Sequence, residues 1–158
     1  APLDELLAAG ITVGLGSDSM ASNNRMDMLA EARMALLMQR ARIASFESPA
    51  AIDVLELATI GGAKAIGIDH LVGTLEEGKQ ADLAAFAIDP LLPVQDPITA
   101  AIFSITGAHA RFVMVAGRPL VRDGALVTPR TGLAHRLTQL GDALAEWVAS
   151  GGEMESSL

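Results

Sequence analysis

The sequence predicts an α/β protein, and three patterns predict it. At the start of the chain a short helix, a glycine, a buried apolar strand and a polar loop follow one another, the rhythm of a parallel α/β layer. Near residues 70–80 the texture changes, and glycine and proline begin to punctuate short strand-like segments. Over residues 131–150 an amphipathic helical pattern closes the chain.

Each element has a local reason. Pro2 suits a first helical turn and Gly10 a position just past a helix end, so the segment between them reads as a short helix. Ile11 to Leu15 follows as a strand, β-branched at its start and apolar enough to be buried. It runs into the polar turn Gly16-Ser17-Asp18-Ser19. Residues 26–44 read as a helix with Met26, Leu29, Ala30, Leu37 and Ile43 near one face. Ser48 and Pro49 have the chemistry of an N-cap and a first helical position, and Gly61-Gly62 is expected to interrupt the helix they start. A second short helix is expected over residues 63–67. Leu83 to Ile88 and Arg111 to Ala116 read as strands, with a tight hairpin over Val115 to Val121 and a second turn at Asp123-Gly124. Asp89-Pro90 and Asp96-Pro97 are among the residues that punctuate these segments. The closing helix carries Leu133, Leu137, Leu140, Leu144 and Trp147 on its apolar side, and residues 151–158 form a frayed tail.

Composition bounds the function. The 158 residues hold 11 Lys plus Arg against 19 Asp plus Glu, a formal charge of −8, and no basic run offsets it. Nucleic acid and anionic membrane are therefore unexpected partners. Cysteine is absent, which removes disulfides, thiolate nucleophiles and Cys-ligated zinc. No uncharged apolar run approaches the roughly 18 residues a membrane span needs, and no basic-then-apolar leader opens the chain. A cytoplasmic location is the expectation. Hydrophobic residues make up 51% but aromatics only 3%. The mean hydropathy of +0.39 is high for a soluble chain. Either a core of small residues or apolar surface covered by further polypeptide would account for it.

Asp18 is the most informative ionisable residue, because it follows the expected strand directly in a loop of small residues. A carboxylate at the C-terminal end of a parallel strand can bind a divalent metal or take a proton, or it can cap the next helix or form an Asx turn. Gly14-Leu15-Gly16 lacks the third glycine of a dinucleotide fingerprint. His70, His109 and His135 have no metal-ligand spacing, and there is no Gly-x-Ser-x-Gly nucleophile elbow. Met20, Met26, Met28, Met34 and Met38 are expected to pack a core or a pocket wall, and Lys64 to be solvated.

A family resemblance emerges from several stretches in order. Val13-Gly14-Leu15-Gly16-Ser17-Asp18-Ser19, Ala21-Ser22-Asn23-Asn24 and Met26-Asp27-Met28 resemble the eighth-strand region of the amidohydrolase superfamily. Within it the branch is that of the chlorohydrolases and the cytosine/guanine and S-adenosylhomocysteine deaminases. Ala58-Thr59-Ile60-Gly61-Gly62-Ala63-Lys64-Ala65 continues the resemblance. So do Gly73-Thr74-Leu75-Glu76-Glu77-Gly78-Lys79-Gln80-Ala81-Asp82-Leu83, Asp96-Pro97-Ile98-Thr99 and Val115-Ala116-Gly117-Arg118-Pro119-Leu120-Val121. The resemblance implies that residues 1–72 are the last strand and helices of a metal-dependent (β/α)8 barrel. Residues 73–130 would be part of a small composite β-sandwich, and residues 131–158 a closing helix and tail.

The resemblance also implies one divalent metal, Zn2+ or Fe2+, held by histidines and by the eighth-strand carboxylate, here Asp18. Asp18 would shuttle protons as water attacks a C–N or C–Cl carbon, and Ser22 and Asn23 would line the pocket of a purine-, pyrimidine- or triazine-like substrate. The His-x-His of the family has no counterpart in these residues, and a barrel of this kind needs about 250 residues. The chain is therefore expected to be the C-terminal portion of a longer, homo-oligomeric enzyme, inactive without its N-terminal region. A non-catalytic binding or assembly module derived from the family is the alternative.

Overall fold

The structure is a computed structural model that describes residues 1–88, 95–105 and 110–152. It divides into two compact units, Ala1–Val127 and Thr128–Leu158, and combines helices with one sheet.

In the first unit α1 (Leu3–Ala8) ends in a turn at Gly10, whose φ of 73° suits glycine. Residues 11–15, expected to be a buried strand, form no strand, and Ile11 is 50% exposed. A strand exists only as part of a ladder, and among the described residues none pairs with this segment. The segment lies instead against a helix, where the Leu15 N–H donates to the Leu57 carbonyl at 3.0 Å. A parallel layer is thus absent among the described residues.

After a short helix α2 (Met20–Asn23) comes α3 (Met28–Ile43). The Asp27 carboxylate caps α3, accepting from the Leu29 and Ala30 N–H groups at 3.1 Å each. The buried face of α3 is Ala32, Leu36 and Gln39, while Leu37, Ile43, Met34 and Met38 are exposed. The helix is apolar on more than one side, so sequence spacing could not say which side meets the neighbouring helices. Met20 and Met26 are also exposed, so the methionines do not pack a core, while Met34 and Met38 each line a groove, the other role expected of them.

The next helical run comprises α4 (Ala51–Glu56), a π-helical turn (Leu57–Gly61) and α5 (Gly62–Ala65). It starts at Ala50 rather than Ser48, because the Asp53 carboxylate accepts the Ala50 N–H at 2.7 Å. Gly61-Gly62 does not interrupt it. Gly61 has φ −62° and ψ −45°, ordinary helical values. Its lack of a side chain serves close approach instead, since a Cβ on Gly61 would stand 2.9 Å from the Val13 carbonyl oxygen. Asp96-Pro97, one of the punctuating pairs, opens α6 (Pro97–Phe103), with Asp96 as N-cap and Pro97 in the first turn. α3, α4 and α6 enclose the core, built on Ala32, Leu36, Ala51, Val54 and Ile102, with Leu15, Leu29, Ile98 and Phe103 packed around it.

The sheet is antiparallel in the order β1 (Leu83–Phe86), β2 (Ala110–Val115), β3 (Arg118–Arg122), β4 (Ala125–Leu126). Both expected hairpins form. Each turn has two central residues at positive φ, 48° and 75° at Ala116-Gly117 and 50° and 79° at Asp123-Gly124, as a type I′ turn requires. The Asp82 carboxylate accepts the Ala116 N–H at 2.6 Å, tying the first hairpin to the residues that precede β1. The second unit contains α7 (Leu133–Ala149), and its expected apolar side, Leu133, Leu137, Leu140, Leu144 and Trp147, is exposed.

Candidate active site

The loop between the Ile11–Gly16 segment and α3 holds all three residues singled out from the sequence. Asp18 is exposed with φ 59°, in the left-handed region that an L-residue adopts only where neighbours impose it. Its Oδ1 accepts the Ser19 N–H at 2.7 Å. Among the described residues its Oδ2 takes no hydrogen bond, so one oxygen orients the carboxylate and the other faces outward. The preceding residue, Ser17, is buried, and the single hydrogen of its hydroxyl is within reach of the Asp18 carbonyl at 3.3 Å and the Met26 sulfur at 3.4 Å.

Ser22 is exposed on α2, where its hydroxyl donates to the Ser19 carbonyl at 3.1 Å and lies 3.5 Å from the Ser19 hydroxyl. Asn23 is half-buried. Its Nδ2 donates to the Ser17 carbonyl at 2.8 Å and to Glu31 Oε1 at 2.5 Å, which uses both amide hydrogens, and among the described residues Oδ1 takes no hydrogen bond. Asn24 then ends α2 at φ 58°. Sequence reasoning missed Glu31. The cue was the Asp27 cap, which fixes the register of α3 and puts Glu31 in its first turn, facing back toward the loop.

No group of three or more His, Cys, Asp or Glu able to hold a metal occurs among the described residues. His70 lies in an exposed turn and His135 on exposed α7, while His109 lies outside the described residues. Asp18 therefore offers one carboxylate donor, enough for one coordination position and not for a site. No helix among the described residues is long and apolar enough to cross a membrane.

Two hollows among the described residues lie elsewhere. A groove of about 410 Å³ runs along Ile11, Thr12 and Val13 toward Leu57 and Lys64. A second of about 410 Å³ runs along Val13 to Gly16 toward Met38 and Gln39. The Ile11–Gly16 segment is thus open on two sides, and Asp18 lines neither groove.

Comparison with known proteins fits this picture. The model of the amidohydrolase family matches residues 1–120. A 5-methylthioadenosine/S-adenosylhomocysteine deaminase of Teredinibacter turnerae is 38% identical over 129 residues, covering 80% of this chain and 29% of the relative. A 5′-deoxyadenosine deaminase of Methanothermobacter thermautotrophicus is 38% identical over 127 residues, 79% of this chain and 29% of the relative. Among solved structures, an adenosine deaminase of Xanthomonas campestris with bound zinc superposes with a TM-score of 0.84 at 29% identity, over 92% of this chain and 34% of its own. The atrazine chlorohydrolase of Arthrobacter aurescens, complexed with zinc, gives 0.75 at 34% identity, over 91% and 32%. The chain spans about 30% of the length of the curated relatives it matches. With the family model matched over residues 1–120 and these relatives behind it, the chain belongs to the amidohydrolase family.

Proposed function

We propose that this chain is the C-terminal portion of a metal-dependent hydrolase that removes the exocyclic amine of a purine-like ring. The observation that carries this reading is Asp18: an exposed carboxylate held in a left-handed turn by one oxygen, in a chain whose relatives are named as deaminases of adenosine derivatives. Residues 1–72 would complete a (β/α)8 barrel, residues 73–130 a β-sandwich, and residues 131–158 would close the chain. The two grooves beside Ile11–Gly16 support this, since a segment left without ladder partners but open on both sides suits a strand whose neighbours lie in another stretch of polypeptide. The exposed methionines of α3 and the apolar side of α7 likewise suit surfaces that further polypeptide covers.

In this reading the Asp18 carboxylate would hold one position on a divalent ion, Zn2+ being favoured by the zinc in the solved relatives, and the remaining ligands would come from outside the chain. When bound, such an ion supplies the Lewis acidity that makes water nucleophilic at neutral pH. Asp18 accepts a proton from water as its oxygen adds to the amine-bearing ring carbon, then returns a proton to the nitrogen as the C–N bond breaks. Ammonia leaves and the ring carbon keeps the oxygen. Ser22, through its hydroxyl, and Asn23, through Oδ1, stand on the same loop and would face the ring.

The test is ammonia release from adenosine, 5′-deoxyadenosine and S-adenosylhomocysteine by the longer polypeptide that carries this chain. Asp18→Asn should lower kcat by about 10²–10⁴-fold with the fold intact, and the 158-residue chain alone should release none. Turnover by the chain alone, or full activity in Asp18→Asn, would overturn the reading. A stand-alone module would instead unfold cooperatively and bind little of a dye specific for apolar surface.

A further inference from the structure

We propose that Glu31 is a positioning residue for Asp18, acting through the Asn23 amide. The inference rests on the reading of Asp18 as a metal ligand and adds the device that aims it. Asn23 Nδ2 has two hydrogens, and both are committed, one to the Ser17 carbonyl at 2.8 Å and one to Glu31 Oε1 at 2.5 Å. The Ser17 carbonyl belongs to the peptide group that also contains the Asp18 nitrogen. Fixing that oxygen fixes the peptide plane from which the Asp18 side chain departs.

Two further contacts make the aim specific. Asp18 sits at φ 59°, a backbone state that persists only where the surroundings impose it, and the Ser19 N–H holds Oδ1 at 2.7 Å. The outer end of the brace is rigid because Glu31 projects from the first turn of α3, four residues after the Asp27 cap. A carboxylate acceptor makes the Asn23 bond charge-assisted and short. Without it Asn23 can rotate away from Ser17, and the left-handed turn loses its anchor.

An acidic residue in a first turn also complements the helix dipole, and the two roles separate experimentally. Dipole complementation needs the charge and predicts nothing at Asp18. The brace needs an acceptor at Oε1, which Glu31→Gln retains. Three variants, Glu31→Ala, Glu31→Gln and Asp18→Asn, are made in the longer polypeptide that carries this chain. For each, the Zn2+ affinity of the metal-free protein is measured by competition with a chromophoric chelator, together with kcat and KM.

The brace predicts that Glu31→Ala loses roughly 10–100-fold in Zn2+ affinity and in kcat with little change in KM, and that Glu31→Gln recovers most of both. Wild-type affinity and kcat in Glu31→Ala would overturn the proposal, as would equal losses in Glu31→Ala and Glu31→Gln. If Glu31→Ala does not fold, Asn23→Ala takes its place, with the same loss of Zn2+ affinity as the readout and no expectation for KM, since Asn23 also faces the ring in the reading above. If Asp18→Asn keeps its Zn2+ affinity, the metal reading itself fails. The brace is then judged by amide hydrogen exchange at Asp18 and Ser19 in the same longer polypeptide, which Glu31→Ala should speed and Glu31→Gln should not. Unchanged exchange in Glu31→Ala would overturn it there too.

Discussion

Gly14 and Gly62 meet backbone to backbone, and a Cβ on Gly14 would stand 2.6 Å from the Gly62 Cα. This contact, with that of Gly61 against the Val13 carbonyl, lets the segment leading to Asp18 lie flush on the helical run from Ala51 to Ala65. Neither partner can yield, because both are main chain. Gly14→Ala should therefore cost about 1–3 kcal/mol as overpacking and lower Tm. Gly16→Ala, where an added Cβ meets nothing within 4 Å, should leave Tm nearly unchanged. Equal Tm values for the two variants would refute the close-packed junction.

The three-helix core should be as sensitive as its burial implies. Leu36 is fully buried and Ile102 is 1% exposed. Leu36→Ala should cost about 2–5 kcal/mol and Ile102→Val about 0.5–1.5 kcal/mol, read from urea midpoints at constant m-value. A Leu36→Ala loss below that of Ile102→Val would mean that α3 does not anchor the core.

Asp96 makes α6 sensitive to acid. Its carboxyl is held below the usual carboxylate range first by the Thr99 hydroxyl and then by the Ile98 and Thr99 N–H groups, which outweigh slight desolvation. A carboxyl whose folded-state pKa is depressed binds protons less readily folded than unfolded. Its contribution is complete above the ordinary carboxylate pKa and is lost as pH falls through the depressed value. Asp96→Asn, which keeps a capping oxygen but does not titrate, should flatten the dependence of the urea midpoint on pH below about 4.5. An unchanged slope would show that other carboxylates govern acid unfolding.

The first hairpin carries a removable strain. Ala116 occupies a left-handed position at φ 48° that costs an L-residue roughly 1–2 kcal/mol, and type I′ turns favour asparagine before glycine. Ala116→Asn should raise Tm by relieving part of that cost, and it keeps the backbone N–H that Asp82 accepts. Asp82→Ala should lower Tm by removing the acceptor. A lower Tm in Ala116→Asn would mean that the turn is not the type I′ form.

Local chemistry sufficed for the parts of the molecule that local chemistry controls. The helix over 28–43, both two-residue hairpin turns, the strands around 83–86 and 110–115 and the closing helix all follow from caps, turn residues and periodicity. The family is carried by residues in fixed order, and it is the resemblance, not spacing, that singles out Ser22 and Asn23 on the loop after Asp18. Elements that depend on a partner were decided only in three dimensions. Ile11–Leu15 has strand-forming residues but forms no ladder, because a strand is defined by neighbours. The buried face of α3 is the one that α4 and α6 cover, and a helix apolar on several sides does not announce it. Gly61-Gly62 looks like a break in sequence and is an approach surface in the fold. Glu31 reaches Asn23 across eight residues because the Asp27 cap sets the register of α3 against the loop. Sequence alone determined which residue types and turns are present, and tertiary structure decided what each one touches.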